Sequence, residues 1–311
     1  MITTVTLNPA IDKTINIKSI NSSDVTMIQS SHLDAAGKGI NVSKNLDALR
    51  KRSKATGFLA GSSGNFIKEQ LSLLNIDSKF ITIDGDTRTN LKIIIESPSE
   101  IIELNESGPF VSQSNLKQLI TQLDNLLIKN DWLVLSGSLP KGLDNNTYKI
   151  LCQRYKNKEI NVIVDASKEP LTYAIDALPN IIKPNLYELQ IYANKRLETR
   201  QDIIEAAKSI CQKGVETVVC TLGNKGAIAV TKYHVYTVDA LAINAHSTVG
   251  AGDAFVAGLV YGLDEQKELK TALKWATATA AAAAETTSTN PGSYLRIQDL
   301  YNQVNIKEEG N

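Results

Sequence analysis

The sequence predicts an α/β protein whose mostly parallel β-sheet is covered by helices on both faces. Short runs rich in Val, Ile and Leu alternate along the chain with segments of helical period. These runs are apolar almost throughout, rather than at every second position. Strands of that kind are buried on both faces, which is typical of parallel sheets.

The elements follow in order. The expected strands cover residues 2–7, 54–60, 131–137, 160–166, 180–185 and 216–223. The expected helices cover residues 39–50, 63–75, 115–129, about 145–157, 251–263 and 266–285. The clearest helix is 115–129, where leucine and isoleucine recur with a period near 3.6. Ligands of such sheets bind at the carboxyl ends of the strands, so the residues that follow each strand are site candidates.

Two segments interrupt this alternation, because each holds two strand-like runs with no helix between them. Residues 13–20 with 26–33, and 89–97 with 100–105, are expected to form hairpins. Four antiparallel strands would then make a small sheet at one edge of a single domain that spans residues 1–311. We expect this sheet, from about 13–33 and 88–105, to be a lid that excludes water. A plain extension of the main sheet is the alternative.

Composition argues against partners that are recognised by bulk charge. Of 311 residues, 42% are hydrophobic and 21% charged, and 33 Lys and Arg balance 33 Asp and Glu. A zero net charge does not favour nucleic acid or a membrane surface. The sequence has no signal-peptide pattern and no apolar run of the roughly 20 residues that a membrane span needs. Three widely spaced cysteines suit reduced thiols, so we expect a cytoplasmic protein.

The stretch STVGAGDAFVAG, at 247–258, carries the most informative chemistry. It is not a dinucleotide fingerprint, because Phe255 stands where the third glycine would be, and the sequence holds no P-loop string. Three small residues leave N–H groups free for an anion at a helix N-terminus: Gly250, Ala251 and Gly252. An acid beside them suits a phosphotransferase, with Asp253 taking the proton of an alcohol. A simple helix cap is the alternative.

Two further segments place polar residues near strand ends. Lys38 lies between Gly37 and Gly39 before a helix, where a cation is unfavourable unless an anion lies nearby. Asp12 follows the first strand with no obvious helix to cap, so it is a weak candidate acceptor for sugar hydroxyls.

Three more segments have both a functional and a structural interpretation. Asn185 and Glu188 would share a helix face and suit a hydrated Mg²⁺, or they would only cap the helix. Arg88, beside an expected lid strand, could pair two phosphate oxygens. The glycine-rich turn at 221–227 could take the edge of an adenosine, or it could be a hairpin turn.

In this order, the segments resemble the ribokinase-like sugar kinases of the PfkB family over essentially the whole chain. GAGDAFVAG and GKGIN match the two signatures of that family. TVTLNPAID, TRTN, ELNESGP, LSGSLP and KPNLYEL are similar to its phosphofructokinase branch, which includes 1-phosphofructokinases and tagatose-6-phosphate kinases. Two positions depart from the pattern. Ala36 replaces the first of two usual glycines, and Ala254 stands where the branch often has serine.

The resemblance implies a ribokinase-like three-layer core, ATP as the phosphoryl donor, Mg²⁺, and a ketohexose monophosphate that becomes a 1,6-bisphosphate. It implies that Asp253 is the catalytic base and that Gly250–Asp253 form an anion hole. It implies metal roles, through water, for Asn185 and Glu188. At the sugar phosphate it places Asp12, Gly37, Lys38, Gly39, Asn41, Arg88, Asn90 and Ser136. At ATP it places Asn185, Thr221, Gly223, Gly226, Gly250 and Gly252.

The sequence leaves two points open: the acceptor that is phosphorylated and the assembly of the chain. A kinase of a non-phosphorylated sugar or of a nucleoside, on the same fold, is the alternative function. An exposed lid sheet could pair with a second copy of the chain, because open sheet edges tend to be covered.

Overall fold

The structure, a computed structural model, describes residues 1–20 and 24–310. Its strands are β1 (Ile2–Thr6), β2 (Ala10–Ile17), β3 (Ile28–Ala36), β4 (Ser53–Ala60), β5 (Ile76–Ile83), β6 (Arg88–Ile95), β7 (Glu100–Asn105), β8 (Trp132–Ser136), β9 (Asn161–Asp165), β10 (Ile181–Ile182), β11 (Thr217–Thr221), β12 (Ala227–Thr231), β13 (His234–Val238) and β14 (Ile306–Gly310). Its α-helices are α1 (Lys38–Ala48), α2 (Gly61–Ser72), α3 (Gln113–Leu126), α4 (Thr147–Lys156), α5 (Lys168–Ile175), α6 (Leu186–Ala193), α7 (Arg200–Lys213), α8 (Ala251–Asp264), α9 (Leu269–Ala284) and α10 (Tyr294–Gln303).

The large sheet has the strand order β14-β13-β12-β11-β10-β9-β8-β1-β4-β5. The strands from β11 to β5 are parallel, and β12, β13 and β14 are antiparallel additions at one edge. Helices α3–α7 bury their apolar faces on one side of this sheet, and α1, α2 and α8–α10 cover the other. The predicted three-layer α/β core is therefore confirmed.

Several elements differ from the expected ones for local reasons. β5 lies at the sheet edge and is only partly buried, so it lacks the continuous apolar run that identifies the central strands. β10 is limited to two residues because Pro184 has no N–H to donate and Asn185 already caps α6. The sequence analysis did not anticipate α10 or β14, and β14 is a largely exposed, charged edge strand.

The small sheet has the order β3-β2-β6-β7. The two expected hairpins are confirmed, because β2 pairs with β3 and β6 with β7 in antiparallel fashion. The expectation of four antiparallel strands is wrong, since β2 and β6 pair in parallel. β2 follows β1 and β6 follows β5, and β1 and β5 are parallel strands of the large sheet. Both connections therefore leave the large sheet at its carboxyl edge and run in the same direction, which makes β2 and β6 parallel. Residues 21–23 of the expected lid lie outside the described residues.

One register row of the small sheet consists of polar residues on all four strands. Asp34 of β3 is opposite Asp12 of β2, which is opposite Asn90 of β6, which is opposite Asn105 of β7. Residues that share such a row project to one face of a sheet. Within residues 1–20 and 24–310, no helix combines the length and the apolar character that crossing a membrane requires.

Candidate active site

The N-termini of α1 and α8 meet at a buried carboxylate. Nδ2 of Asn41, in the first turn of α1, donates to Oδ2 of Asp253, in the first turn of α8, at 2.8 Å. Gly39 permits this approach of α1 to the large sheet, because a Cβ there would lie 2.5 Å from Oγ1 of Thr6. Gly250 precedes α8 with a φ of 81°, which favours glycine. The two signature motifs are therefore brought into direct contact.

The first turn of α8 leaves fewer free amides than the sequence suggests. The N–H of Ala251 donates to the carbonyl of Thr248 at 3.3 Å, within the turn that leads into the helix. The N–H groups of Gly252 and Asp253 belong to the first helical turn, where no intrahelical acceptor exists. These two amides are the better candidates for binding an anion.

The side chain of Asp253 is only 6% exposed. Burial raises its pKa to about 6, and the neighbouring carboxylate of Asp165 acts in the same direction. The charge of Lys38, the hydrogen bond from Asn41 and the charge of Lys183 oppose this rise in pKa. A carboxylate with this pKa is ionised at neutral pH yet basic enough to accept a proton, which suits a general base.

Two lysines share one oxygen of a second buried carboxylate. Nζ of Lys38 lies 3.1 Å from Oδ1 of Asp165, and Nζ of Lys183 lies 3.3 Å from the same atom. Burial alone would raise the pKa of Asp165, but the two ammonium groups outweigh it and lower that pKa. Burial likewise disfavours the charged form of Lys38, but Asp165, Asp253 and Glu188 together raise its pKa. The site therefore favours the charged form of Lys38.

Asp165 and Lys183 are not among the residues that the sequence motifs identify. Lys183 lies beside the first turn of α8, since a Cβ on Gly252 would be 3.6 Å from its Nζ. Asp165 ends β9 and Lys183 follows β10, at the same carboxyl edge that made Asn185 a candidate. Applying that edge rule to every strand would have identified both residues.

A polar cavity of about 180 Å³ lies next to this charge cluster. It is lined by Thr6, Asn8, Lys38, Arg88, Ser136, Gly137, Ser138 and Ser167. Nε of Arg88 donates to the carbonyl of Asn8 at 3.3 Å. Its NH1 group donates to Oδ1 of Asn90 at 2.9 Å and to the carbonyl of Glu106 at 3.3 Å. These acceptors fix the guanidinium group in the cavity wall.

The other residues expected at a sugar lie around the same cavity or adjoin it. Asn90 donates to Oδ1 of Asp12 at 2.8 Å, which ties two strands of the small sheet together. The hydroxyl of Ser136 is buried and has no partner among the residues that the structure describes. Gly37 has a φ of 119°, and a Cβ there would meet Thr6 at 2.8 Å. Gly37 therefore allows the chain to turn from β3 into α1.

Asn185 and Glu188 form a helix cap. Oδ1 of Asn185 accepts from the N–H of Glu188 at 2.8 Å, and Oε2 of Glu188 accepts from the N–H of Asn185 at 2.9 Å. This capping box occupies the amide oxygen that a metal would need. Oε1 of Glu188 is not used in the box, and Oδ2 of Asp165 is buried without a partner within the described chain. A metal role for these residues stays a prediction.

The turn at 221–227 closes a hairpin. β11 and β12 are antiparallel, and a short 3₁₀ turn at Gly223–Lys225 joins them. A Cβ on Gly226 would lie 2.0 Å from the carbonyl of Val238, so the turn requires glycine for its own packing. Thr221 pairs with Asn185 in a β-bridge, which places the start of the turn at the capped end of α6. Contact of the turn with a nucleotide stays a prediction.

Comparison with known proteins agrees with this arrangement. The sequence profile described as pfkB family carbohydrate kinase matches residues 5–294. The chain belongs to this family. It is 35% identical to the 1-phosphofructokinase of Borreliella burgdorferi over 301 residues, 96% of this chain and 95% of that protein. It is 34% identical to the 1-phosphofructokinase of Escherichia coli K12, over 91% of this chain and 90% of that one.

A solved structure of the same architecture is phosphofructokinase-2 from Escherichia coli. Its TM-score is 0.92 at 27% identity, covering 97% of this chain and 98% of that one. That protein has also been solved in complex with fructose-6-phosphate and in a tetrameric inhibited form. The ribokinase-like fold is thereby confirmed, and the protein is a carbohydrate kinase.

The raised pKa of Asp253 predicts how stability depends on pH. Between the ordinary value of about 4 and the folded value, the native state keeps a proton that the unfolded chain has lost. The free energy of unfolding therefore falls as the pH rises through this window. Asp253→Asn is neutral at all pH, so we expect it to be more stable than wild type by about 1–3 kcal/mol at neutral pH. The difference should shrink near pH 4, as measured by urea unfolding at both pH values.

Asp264→Asn is the matched control. Burial would raise the pKa of Asp264, but Lys51, 2.7 Å away, contributes to lowering it. The ionised carboxylate of Asp264 stabilises the fold at neutral pH. Its replacement should therefore lower the free energy of unfolding, whereas Asp253→Asn should raise it. A loss of stability in Asp253→Asn at neutral pH would show that burial does not govern this carboxylate.

Proposed function

We propose that this protein is an ATP-dependent kinase that converts a ketohexose monophosphate to the 1,6-bisphosphate, with fructose 1-phosphate as its preferred substrate. One observation carries the proposal: the wall of the polar cavity contains two cations, Lys38 and the anchored Arg88, beside a buried carboxylate base. An unphosphorylated sugar would give Arg88 no anion to pair with. The 1-phosphofructokinase relatives support the choice of fructose 1-phosphate.

In the proposed reaction, Arg88 binds the phosphate that the sugar already carries through its NH2 group, because Nε and NH1 donate to Asn8, Asn90 and Glu106. Asp12 and Asn90, joined by their hydrogen bond, receive the sugar hydroxyls. Asp253 accepts the proton of the reacting hydroxyl as the phosphorus–oxygen bond to the donor breaks and the bond to the sugar forms. Asn41 keeps the Asp253 carboxylate in a fixed orientation through its amide.

Charge that develops on the transferring phosphoryl group is compensated by fixed groups. The amides of Gly252 and Asp253 point toward it from the first turn of α8. Lys38 and Lys183, held by Asp165, supply two positive charges close to the same turn. Because burial and ion pairing set these groups before substrate arrives, little reorganisation is needed during transfer.

The oxygen ligands of the site suit a Mg²⁺ ion that binds together with ATP better than a metal ion held by protein side chains alone. Within the described residues, no group of three or more His, Cys, Asp or Glu side chains could hold a metal ion. The unpartnered Oδ2 of Asp165 and the free oxygen of Glu188 could bind a hydrated ion through water. When bound with the nucleotide, Mg²⁺ would neutralise phosphate charge. Asn185, Thr221, Gly223 and Gly226 remain our proposed ATP contacts.

We also propose that the small sheet is the lid of this site. Three of its side chains, Asp12, Arg88 and Asn90, belong to the substrate side of the cavity or adjoin it. A sheet that presses these groups onto the sugar phosphate would exclude the water that competes for the phosphoryl group.

Replacing the base tests the mechanism. Asp253→Asn should lower kcat/KM by about 10²–10⁴-fold, because the hydroxyl loses its proton acceptor. Wild-type kcat/KM should fall as the pH drops below about 6, since the protonated carboxyl cannot accept a proton. Binding of an ATP analogue, followed by calorimetry, should persist in the variant. Turnover at a near-wild-type rate would refute the assignment of the base.

A substrate panel with Arg88→Met tests the acceptor. Wild type should prefer fructose 1-phosphate over tagatose 6-phosphate, fructose 6-phosphate and fructose in kcat/KM from a coupled ADP assay. Arg88→Met should raise the KM for the phosphorylated sugar by about 10- to 100-fold, because a charged hydrogen-bonding partner is lost.

Arg154→Met is the matched control for that panel. Arg154, on the surface of α4, pairs with Asp124 of α3 and does not line the cavity, so the KM of this variant should equal that of wild type. If wild type prefers free fructose or a nucleoside, the alternative function on this fold is correct.

We further propose that two copies pair through the small sheet. The face opposite the polar row carries exposed or partly exposed apolar side chains in two cross-strand rows. One row holds Leu33, Leu91 and Leu104, with Lys13 between the first two, and the other holds Ile15, Ile93 and Ile102, with Ser31 at its end. Leu104 is 55% exposed. Exposed apolar patches of this kind mark protein–protein contacts, and a symmetric dimer would cover this one with its own copy.

Light scattering tests this pairing. Wild type should have twice the mass of one chain, and Ile93→Glu with Leu104→Glu should reduce it to the monomer, since charge would be buried in the interface. Leu73→Glu, at a residue 78% exposed in the turn after α2, should leave the mass unchanged. A monomeric wild type would exclude the dimer.

A further inference from the structure

Asp34 ends the polar row of the small sheet and is buried by another part of the chain. In β3, residues 28–33 are exposed, whereas Asp34 is only 7% exposed. Asp34 lies opposite Asp12, which reaches Asn90 through a hydrogen bond. Its carboxylate therefore adjoins the residues proposed to hold the sugar, although the proposed reaction gives it no role.

Asp34 has one side-chain contact within β3 and one from a distant loop. Nε2 of His32 lies 3.1 Å from its Oδ1. The second contact comes from the loop between α9 and α10. Oγ of Ser288 donates to Oδ2 of Asp34 at 2.7 Å, across 254 positions of sequence. Ser288 has a φ of 59°, a conformation that serine adopts rarely and that the loop must enforce. Oγ1 of Thr286 lies 2.7 Å from the carbonyl oxygen of Ala283 and 2.6 Å from that of Asn290, and its single O–H donates to one of them, which closes the loop on itself. Ser288 is thus presented to Asp34 by a constrained turn.

The same loop supports the anion-binding turn of α8. Thr289, directly after Ser288, is 4% exposed, and a Cβ on Gly250 would lie 3.3 Å from its Cβ. A shift of this loop would therefore move the backbone next to Gly250. The hydrogen bond from Ser288 connects that backbone to the small sheet.

Asp34 also lies close to the start of α1. It precedes the Gly37–Gly39 turn by three residues, and Nζ of the buried Lys44 contacts the carbonyl of Ala35 at 3.4 Å. Lys44 interacts electrostatically with both Asp34 and Asp12. Asp34 thus joins three parts of the site: the sugar row, the turn that carries Lys38, and the loop beneath α8.

We propose that Asp34 and Ser288 are positioning residues that couple occupancy of the sugar-phosphate pocket to occupancy of the nucleotide side. A sugar phosphate that draws the small sheet onto the core strengthens the Ser288–Asp34 bond and so fixes the loop under α8. A nucleotide that fixes this loop holds the sheet in turn, because coupling between two sites is reciprocal. The inference rests on the proposed function.

Calorimetry measures this coupling directly. The Kd of a non-hydrolysable ATP analogue is determined with and without saturating fructose 1-phosphate, and the ratio is the coupling factor. In Ser288→Ala, we expect the factor to fall by about three- to tenfold, the contribution of one hydrogen bond to a carboxylate. The Kd of each ligand alone should change by less than about twofold, a pattern that simple loss of structure would not produce.

Three further variants make the test specific. Thr287→Ala removes an exposed hydroxyl from the same loop and should keep the wild-type factor. Asp34→Asn retains an acceptor for Ser288 and should keep most of the factor, whereas Asp34→Ala should lose it. Adding Ser288→Ala to Asp34→Ala should lower the coupling factor no further, because both changes remove the same Ser288–Asp34 hydrogen bond.

Two results would overturn the inference: a wild-type factor of one, or an unchanged factor in Ser288→Ala. Failure of wild type to bind fructose 1-phosphate would instead contradict the proposed substrate. The coupling factor is then measured with whichever phosphorylated ketohexose the substrate panel selects.

Discussion

The burial of Asp253 between two helix N-termini is the constraint on which the site depends. A carboxylate in that position is costly to ionise, and the structure offsets the cost with an amide from Asn41 and two nearby ammonium groups. The lysines need a counter-charge of their own, which Asp165 supplies at the end of β9. These charges therefore form one network, in which Lys38, Asp165 and Asp253 each affect the pKa of the other two.

The glycines of the two signature motifs make that network geometrically possible. α1 can approach β1 only because position 39 has no side chain, and the chain enters α8 through a left-handed residue at position 250. Helix dipoles then add to the positive potential that an entering phosphate group meets. The glycines that resemble a nucleotide-binding motif thus have a structural function here. Gly39 lets α1 pack against the large sheet, and Gly250 starts α8 so that the amides of Gly252 and Asp253 have no acceptor within the helix.

The small sheet brings Arg88 and the polar row next to this network. Its polar row runs from Asn105 to Asp34, and its apolar face points the other way. Arg88 is the first residue of β6. Its guanidinium group donates to the carbonyl of Asn8 after β1, to the side chain of Asn90 in β6, and to the carbonyl of Glu106 after β7. Its fixed orientation is therefore a property of how two sheets meet, rather than of any one segment.

The sequence by itself determined the layer architecture and the two hairpins, and it identified Lys38 and Asp253 as site candidates. Hydrophobic period and turn chemistry are local properties, so both can be recognised in the sequence. Only the tertiary structure decided the parallel pairing of β2 with β6, the ion pairs of Asp165 with Lys38 and Lys183, and the use of Asn185 and Glu188 as a helix cap. The contact of Ser288 with Asp34 was equally hidden from sequence. Each of these depends on which strand ends and loops become neighbours, and residues 254 positions apart leave no periodic signal of their contact.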